Sequence, residues 1–156
     1  MHQRDYVLEL IRRAVQFMTE AVGLAKNNEL QQAKNQLNRA AIQLVGIDLD
    51  SAEELSIASV RMIFVGVQGF DVARCMVLGN LLKERADLEE DGNRKNEIYN
   101  KARLLLIDAG NASDDPLPIN MLQALADISD LDQLPEKIRQ WIVDMEADFG
   151  QDRKEG

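Results

Sequence analysis

Histidine and cysteine are all but missing from the chain: 156 residues hold one of each, His2 and Cys75. A single cysteine cannot close an intramolecular disulfide. A single histidine beside the first methionine leaves no Ser-His-Asp or Cys-His arrangement, no HExxH zinc site and no pair of Glu-x-x-His motifs for a di-iron bundle. Proline is scarce, at 3 residues, and aromatic residues are only 4%. Basic charge is short as well: 18 Lys and Arg face 27 Asp and Glu, a formal net charge of −9. That argues against a general nucleic-acid binder, whose affinity rests on cations meeting phosphates, and against docking on anionic lipid. The longest stretch without a charge is the eleven residues Pro116 to Ala126, well short of a bilayer span. The opening Met-His-Gln-Arg-Asp-Tyr has no apolar signal core. With the lone cysteine, the expectation is a cytoplasmic protein.

What is present points to helices. Apolar residues are 46% and charged residues 29%, ordinary for a folded domain and too apolar for a disordered chain. Ala, Leu, Gln, Glu and Lys are plentiful, all good helix formers. The length suits a single domain, expected over residues 1–150 with a frayed tail at 151–156. Most of the negative charge sits in residues 111–156, which carry four basic and eleven acidic side chains. Such an end is either a solubilising surface or a docking face for a basic partner.

The spacing predicts about seven helices and no clear strand, although the β-branched residues of Ile57 to Val67 would also suit one on periodicity alone. Val7, Leu10, Ile11, Ala14, Phe17, Met18, Ala21 and Ala25 recur on one face, an amphipathic helix from about Asp5 to Lys26 with Asp5 as N-cap. After an Asn27-Asn28 turn, Leu30, Ala33, Leu37, Ala40, Ala41 and Leu44 make a second helix ending near Gly46. Residues 5–46 thus read as a helical hairpin. Ser51-Ala52-Glu53-Glu54 has the form of a capping box. It opens a helix over 51–67, of which Ile57 to Val67, with Arg61 as its one charge, is expected to be buried. Asp71 caps a fourth helix running to about Glu90. A fifth carries Ile98, Tyr99, Ala102, Leu105, Leu106 and Ala109 and stops at Gly110, giving a second hairpin over 71–110. Pro118 and Pro135 suit first helical turns. They open a short helix from Ile119 to Ile128 and a longer one to Asp148 that carries Ile138, Trp141, Ile142 and Met145, with C-terminal helices over 118–148.

The chemistry-bearing residue types form no constellation. Cys75 lies among Val72, Met76, Val77 and Leu78, as a small core residue would. Gly66-Val-Gln-Gly69 lacks the Lys of a phosphate cradle. Asp130-Leu131-Asp132 lacks the Gly and terminal Glu of a calcium loop. No cofactor, metal or catalytic residue is expected.

The two hairpins resemble the tetratricopeptide repeat, a 34-residue pair of helices. Leu78-Gly79 matches its Leu-Gly pair, Leu82 stands at its Tyr position, and Tyr99 and Ala102 match its second helix. In residues 14–45, Ala21 and Leu24 fit the first helix and Ala33, Leu37 and Ala40 the second. Glu20 stands in place of the Leu. The second hairpin is four residues longer than the pattern, and residues 47–71 separate the two. Beyond the repeat, Asp-Tyr-Val-Leu-Glu-Leu-Ile, the Ser-Ala-Glu-Glu-Leu after Gly-Ile-Asp-Leu, and Leu-Leu-Lys-Glu-Arg-Ala-Asp resemble a family of small bacterial proteins with tetratricopeptide-like helices and no assigned activity. The resemblance implies an all-α fold of antiparallel hairpins in a right-handed array.

In such arrays the first helix of each hairpin lines a concave groove. The alignment puts Val15, Met18, Thr19, Val22, Ala25 and Lys26 there from one unit, and Ala73, Met76, Val77, Asn80, Lys83 and Glu84 from the other. The lining is mostly apolar, and of the polar set that clamps a peptide carboxylate only Asn80 and Lys83 are present. An open apolar groove is rare on soluble proteins. A cover is therefore expected: residues 51–67, the C-terminal helix through Trp141, Ile142 and Met145, or a second copy. The leading expectation is a non-catalytic interaction module with a protein partner, basic on the charge argument. The alternatives are a self-assembling homodimer and a small-ligand carrier.

Overall fold

In the computed structural model the backbone is described for residues 3–155 and side chains for residues 4–150. His2 lies outside the described residues. Helix α1 spans Gln3–Lys26 and α2 Leu30–Ala40, with a π-helical turn at Ala41–Val45. Two short helices follow, α3 (Leu49–Glu54) and α4 (Ile57–Met62), then a two-residue antiparallel ribbon, β1 (Val65–Gly66) and β2 (Gly69–Phe70). The remaining helices are α5 (Val72–Asp87), α6 (Gly92–Ala112), α7 (Ile119–Asp127) and α8 (Glu136–Glu155), with a 3-10 turn at Leu131–Gln133. Among the described residues eight α-helices thus replace the expected seven, and the chain is mostly helical.

The helices pack as three sequential pairs. Leu10, Ala14, Met18 and Ala21 of α1 are buried against Ala33, Leu37 and Ala40 of α2. Their connection turns on Asn28, whose φ of 63° is the left-handed region Asn tolerates. Gly46, at φ 94°, ends the second helix as the sequence suggested. The α5–α6 pair is the centre of the core. Every side chain from Cys75 to Leu82 is buried. Gly79 is required there: a Cβ on it would sit 2.9 Å from Leu106 Cγ and 3.3 Å from the Ala102 carbonyl oxygen. Tyr99 Oη donates to Asp87 Oδ1 at 2.5 Å and closes the turn end of the pair. Across the third pair, Met121, Leu122 and Leu125 of α7 and Ile138 and Ile142 of α8 are buried. Helix α5 contacts α1, α2 and α7, while α8 rests on α6 and α7.

Several boundaries differ from the sequence reading, each for a local reason. Helix α1 begins before Asp5, which lies inside its first turn. Asp48, not Ser51, caps α3: its carboxylate accepts from the Ser51 amide at 2.9 Å and from the Ser51 hydroxyl at 2.8 Å. Helix α5 does start at Asp71, whose carboxylate accepts from the Arg74 amide, but it ends at Asp87. Helix α6 runs through Gly110 to Ala112. That glycine serves packing rather than termination, since a Cβ there would meet Ile138 Cδ1 at 2.6 Å. Helix α8 continues past Gly150 to Glu155 rather than fraying at 151.

The largest departure is at 51–67. The expected buried helix is broken at Leu55 and again after Met62, and only Ala52, Val60 and Phe64 enter the core. Phe64 meets the Phe70 ring edge-on at 6.4 Å between centroids. Its carbonyl accepts from the Asp71 amide, and Gly69 takes a φ of 109° to let the ribbon turn. Met62, Ile63, Val65 and Val67 are left exposed. The excursion is tied down by charge. Arg61 makes a bidentate pair with Asp108 of α6 at 2.6 and 2.8 Å. The Glu53 side chain, only 3% exposed, lies 2.9 Å from Arg85 Nε and 2.8 Å from Arg94 Nη2. Lys101 donates to the Glu53 carbonyl at the end of α3.

Candidate binding cleft

Helices α1, α5 and α7 share one face of the molecule. The first half of α1 (Arg4, Tyr6, Leu8, Ile11) shares a cleft with the start of α5, and its second half shares another with Asn80, Lys83 and Glu84. The two helices therefore run in the same direction. The second cleft holds about 450 Å³. One wall is Val15, Met18 and Val22 of α1, which recur at the three- and four-residue spacing of a helix stripe. The floor is Asn80, Lys83 and Glu84 of α5. Asn120, Gln123, Ala124 and Asp127 of α7 make the other wall by the same periodicity.

Its electrostatics centre on Lys83, whose side chain is 13% exposed. The ammonium lies 2.8 Å from Asp87, 3.5 Å from Asp127 and 3.9 Å from Glu84. Burial weighs against that ammonium, but the hydrogen bond to Asp87 and the three carboxylates outweigh it, so its pKa is raised. Burial raises the Glu84 carboxyl above the usual range; Lys83 opposes this, and the negative charges of Asp87 and Asp127 add to it. Tyr99, behind Asp87, is pushed up by burial and by its hydrogen bond to that carboxylate. Asn80 is 2% exposed and lines the cleft.

Of the residues singled out from sequence, Val15, Met18, Val22, Asn80 and Lys83 come together here. Met76 does not join them. It lines the larger cleft of about 1180 Å³ between the first half of α1, the β-ribbon and residues 113–118. Trp141, Ile142 and Met145 line neither. Ile142 and Met145 are buried in the core, and Trp141 packs beside Gly110 with the Lys137 ammonium 5.1 Å from its ring centre. The C-terminal helix therefore does not cover the α1–α5–α7 cleft, and residues 51–67 border only the larger one. Sequence reasoning missed Asn120, Gln123 and Asp127. The signal was available, since they repeat at the spacing that marked the α1 and α5 stripes.

Cys75 Sγ donates to the Leu105 carbonyl at 3.2 Å inside the core, and burial pushes its thiol far up. No helix among the described residues is long and apolar enough to cross a membrane, and no cluster of three metal-ligating side chains occurs among them. Comparison with known proteins yields no relative: no family model, no curated protein and no solved structure matches the chain.

Proposed function

We propose that the chain is a non-catalytic protein-interaction module of tetratricopeptide-like helix pairs in a right-handed array, working in the cytoplasm. The observation that carries the reading is the gathering of Val15, Met18, Val22, Asn80 and Lys83, drawn from two separate hairpins, on one cleft. The sequential pairing of helices and the close approach at Gly79 support the repeat-like packing. The resemblance to small bacterial proteins of that type is part of the same proposal. The test is affinity capture of partners by the tagged chain from its host's lysate, beside a Val22→Glu variant that places charge on the apolar wall. A stoichiometric partner held by the native chain and lost by the variant is the expected result. A partner retained equally by both sinks the cleft as the binding surface.

A second reading, a self-assembling homodimer, draws on a different observation. Met62, Ile63, Val65 and Val67 are exposed around the β-ribbon, and Ile63 and Val67 border the same cleft as Tyr6 and Leu8. Such patches commonly mark protein contacts. Light scattering across a concentration series decides it: a monomer mass throughout refutes the dimer, and a dimer mass abolished by Val65→Asp supports it.

A further inference from the structure

We infer that the β-ribbon is an exchanged finger: its tip, Val67-Gln68, seats in the large cleft of a second copy of this chain, whose own tip seats in return about a two-fold axis. This rests on the homodimer reading above and names the surfaces that meet. The first observation is shape. The ribbon is only two residue pairs long, Val65 with Phe70 and Gly66 with Gly69, and so short a ribbon holds little stability of its own in water. Its tip nevertheless stands clear of the body, with Val67 fully exposed. Beside it lies the cleft of about 1180 Å³ against the first half of α1, where Tyr6, Leu8 and Ile63 are exposed as well. Val67 borders that cleft without filling it. A finger beside a socket it does not fill is the arrangement a two-fold exchange needs. What one copy offers the other accepts, and the assembly closes at two.

The second observation is charge. Two copies, each of net charge −9, repel one another and can meet only where charge is sparse or paired. Although 29% of the chain is charged, only three of the twenty-one residues bordering this cleft are: Arg4, Asp71 and Asp115. Asp71 is already engaged, capping α5 and lying 3.7 Å from Arg74. That leaves one cation on α1 and one anion on the 113–118 loop, neither ion-paired among the described residues. An isologous contact requires a surface that complements itself. One charge of each sign meets that requirement, because each Arg4 then faces the partner's Asp115. A strongly basic or acidic partner would instead call for a lining of one sign.

The test is sedimentation velocity of the full chain over a concentration series from micromolar to submillimolar. The expected result is a monomer–dimer equilibrium. Val67→Asp puts a carboxylate on the finger tip and should weaken the dimer about thirtyfold, the loss expected of a central interface side chain. Because Val67 is fully exposed, the fold of its own copy is not at stake, and circular dichroism checks this. Arg4→Asp and Asp115→Arg each set like charges opposite one another and should weaken the dimer about tenfold. Combined in one chain they exchange the two signs and should bring the affinity back to within about threefold of the native value.

A dimer that Val65→Asp abolishes but that ignores Val67→Asp and both charge reversals overturns the exchange. The homodimer reading then stands, with the Val65 side of the ribbon as its surface. Weakening by each reversal without recovery in the combined variant also overturns the exchange, since the two charges then do not face one another. A monomer at every concentration overturns both. If that monomer captures a different protein from lysate and Val67→Asp abolishes the capture, the cleft belongs to that protein and not to a second copy.

Discussion

The α5–α6 pair and the stretch from Leu55 to Phe70 are both rich in apolar residues, yet one is buried and the other is largely bare. In α5 every side chain from Cys75 to Leu82 is enclosed by α1, α2, α6 and α7. In the stretch only Val60 and Phe64 find the core. The difference does not lie in hydrophobicity but in available partners. Gly79 lets α5 approach α6 until Leu106 fills the space a Cβ would take, and dispersion contacts accumulate along the whole interface. The stretch meets the body edge-on and is fixed by two aromatic rings and ion pairs. What burial does for α5, the Glu53–Arg85–Arg94 and Arg61–Asp108 contacts do for the excursion.

The contrast can be broken at its anchor. Phe64→Ala should cost about 4 kcal/mol, read by chemical denaturation. A cost under about 1 kcal/mol would mean that the ribbon peels away without involving the core. Glu53→Ala takes one carboxylate from the Arg85 guanidinium, 9% exposed at its side chain, which keeps Glu89 at 2.8 Å, and should cost about 2 kcal/mol. Arg94 also retains Glu89, at 3.6 Å; the share of the loss that belongs to Arg85 disappears in an Arg85→Met background, measured as a double-mutant cycle.

Gly79→Ala tests the buried side of the comparison. Overpacking against Leu106 costs about 2 kcal/mol, and the gain in helix propensity returns about 1 kcal/mol. A net loss near 1 kcal/mol is expected, and a net gain would show that α6 yields without strain. The smallest effect belongs to the ribbon tip: Val67→Ser should move stability by no more than about 0.5 kcal/mol. A larger loss that grows with protein concentration would indicate that Val67 is covered by a second copy, as the dimer reading requires.

Much of the fold was legible because helix periodicity and caps are local. The stripes on α1 and α2, the Asp71 cap and the Gly46 stop all follow from backbone hydrogen bonding and side-chain spacing within a few residues. The α1 and α5 walls of the cleft were also legible, because the repeat-like alignment named Val15, Met18, Val22, Asn80 and Lys83. The third wall was not. Nothing in Asn120, Gln123 and Asp127 says that α7 lies beside α5. Gly110 misled for a related reason: a glycine near a helix end reads as a stop, and only the approach of Ile138 reveals it as a contact.

By itself the sequence determined that the chain is helical, where most helices begin, and which faces are apolar, since these depend on spacing and on backbone groups a turn apart. Tertiary structure alone decided which apolar faces are buried. It broke the Ile57–Val67 run into a short helix and a ribbon, because only two of its side chains had a surface to pack on. It also set Asn80, Lys83, Glu84 and Asp127 around one cleft, because contact between helices depends on side chains far apart in the chain.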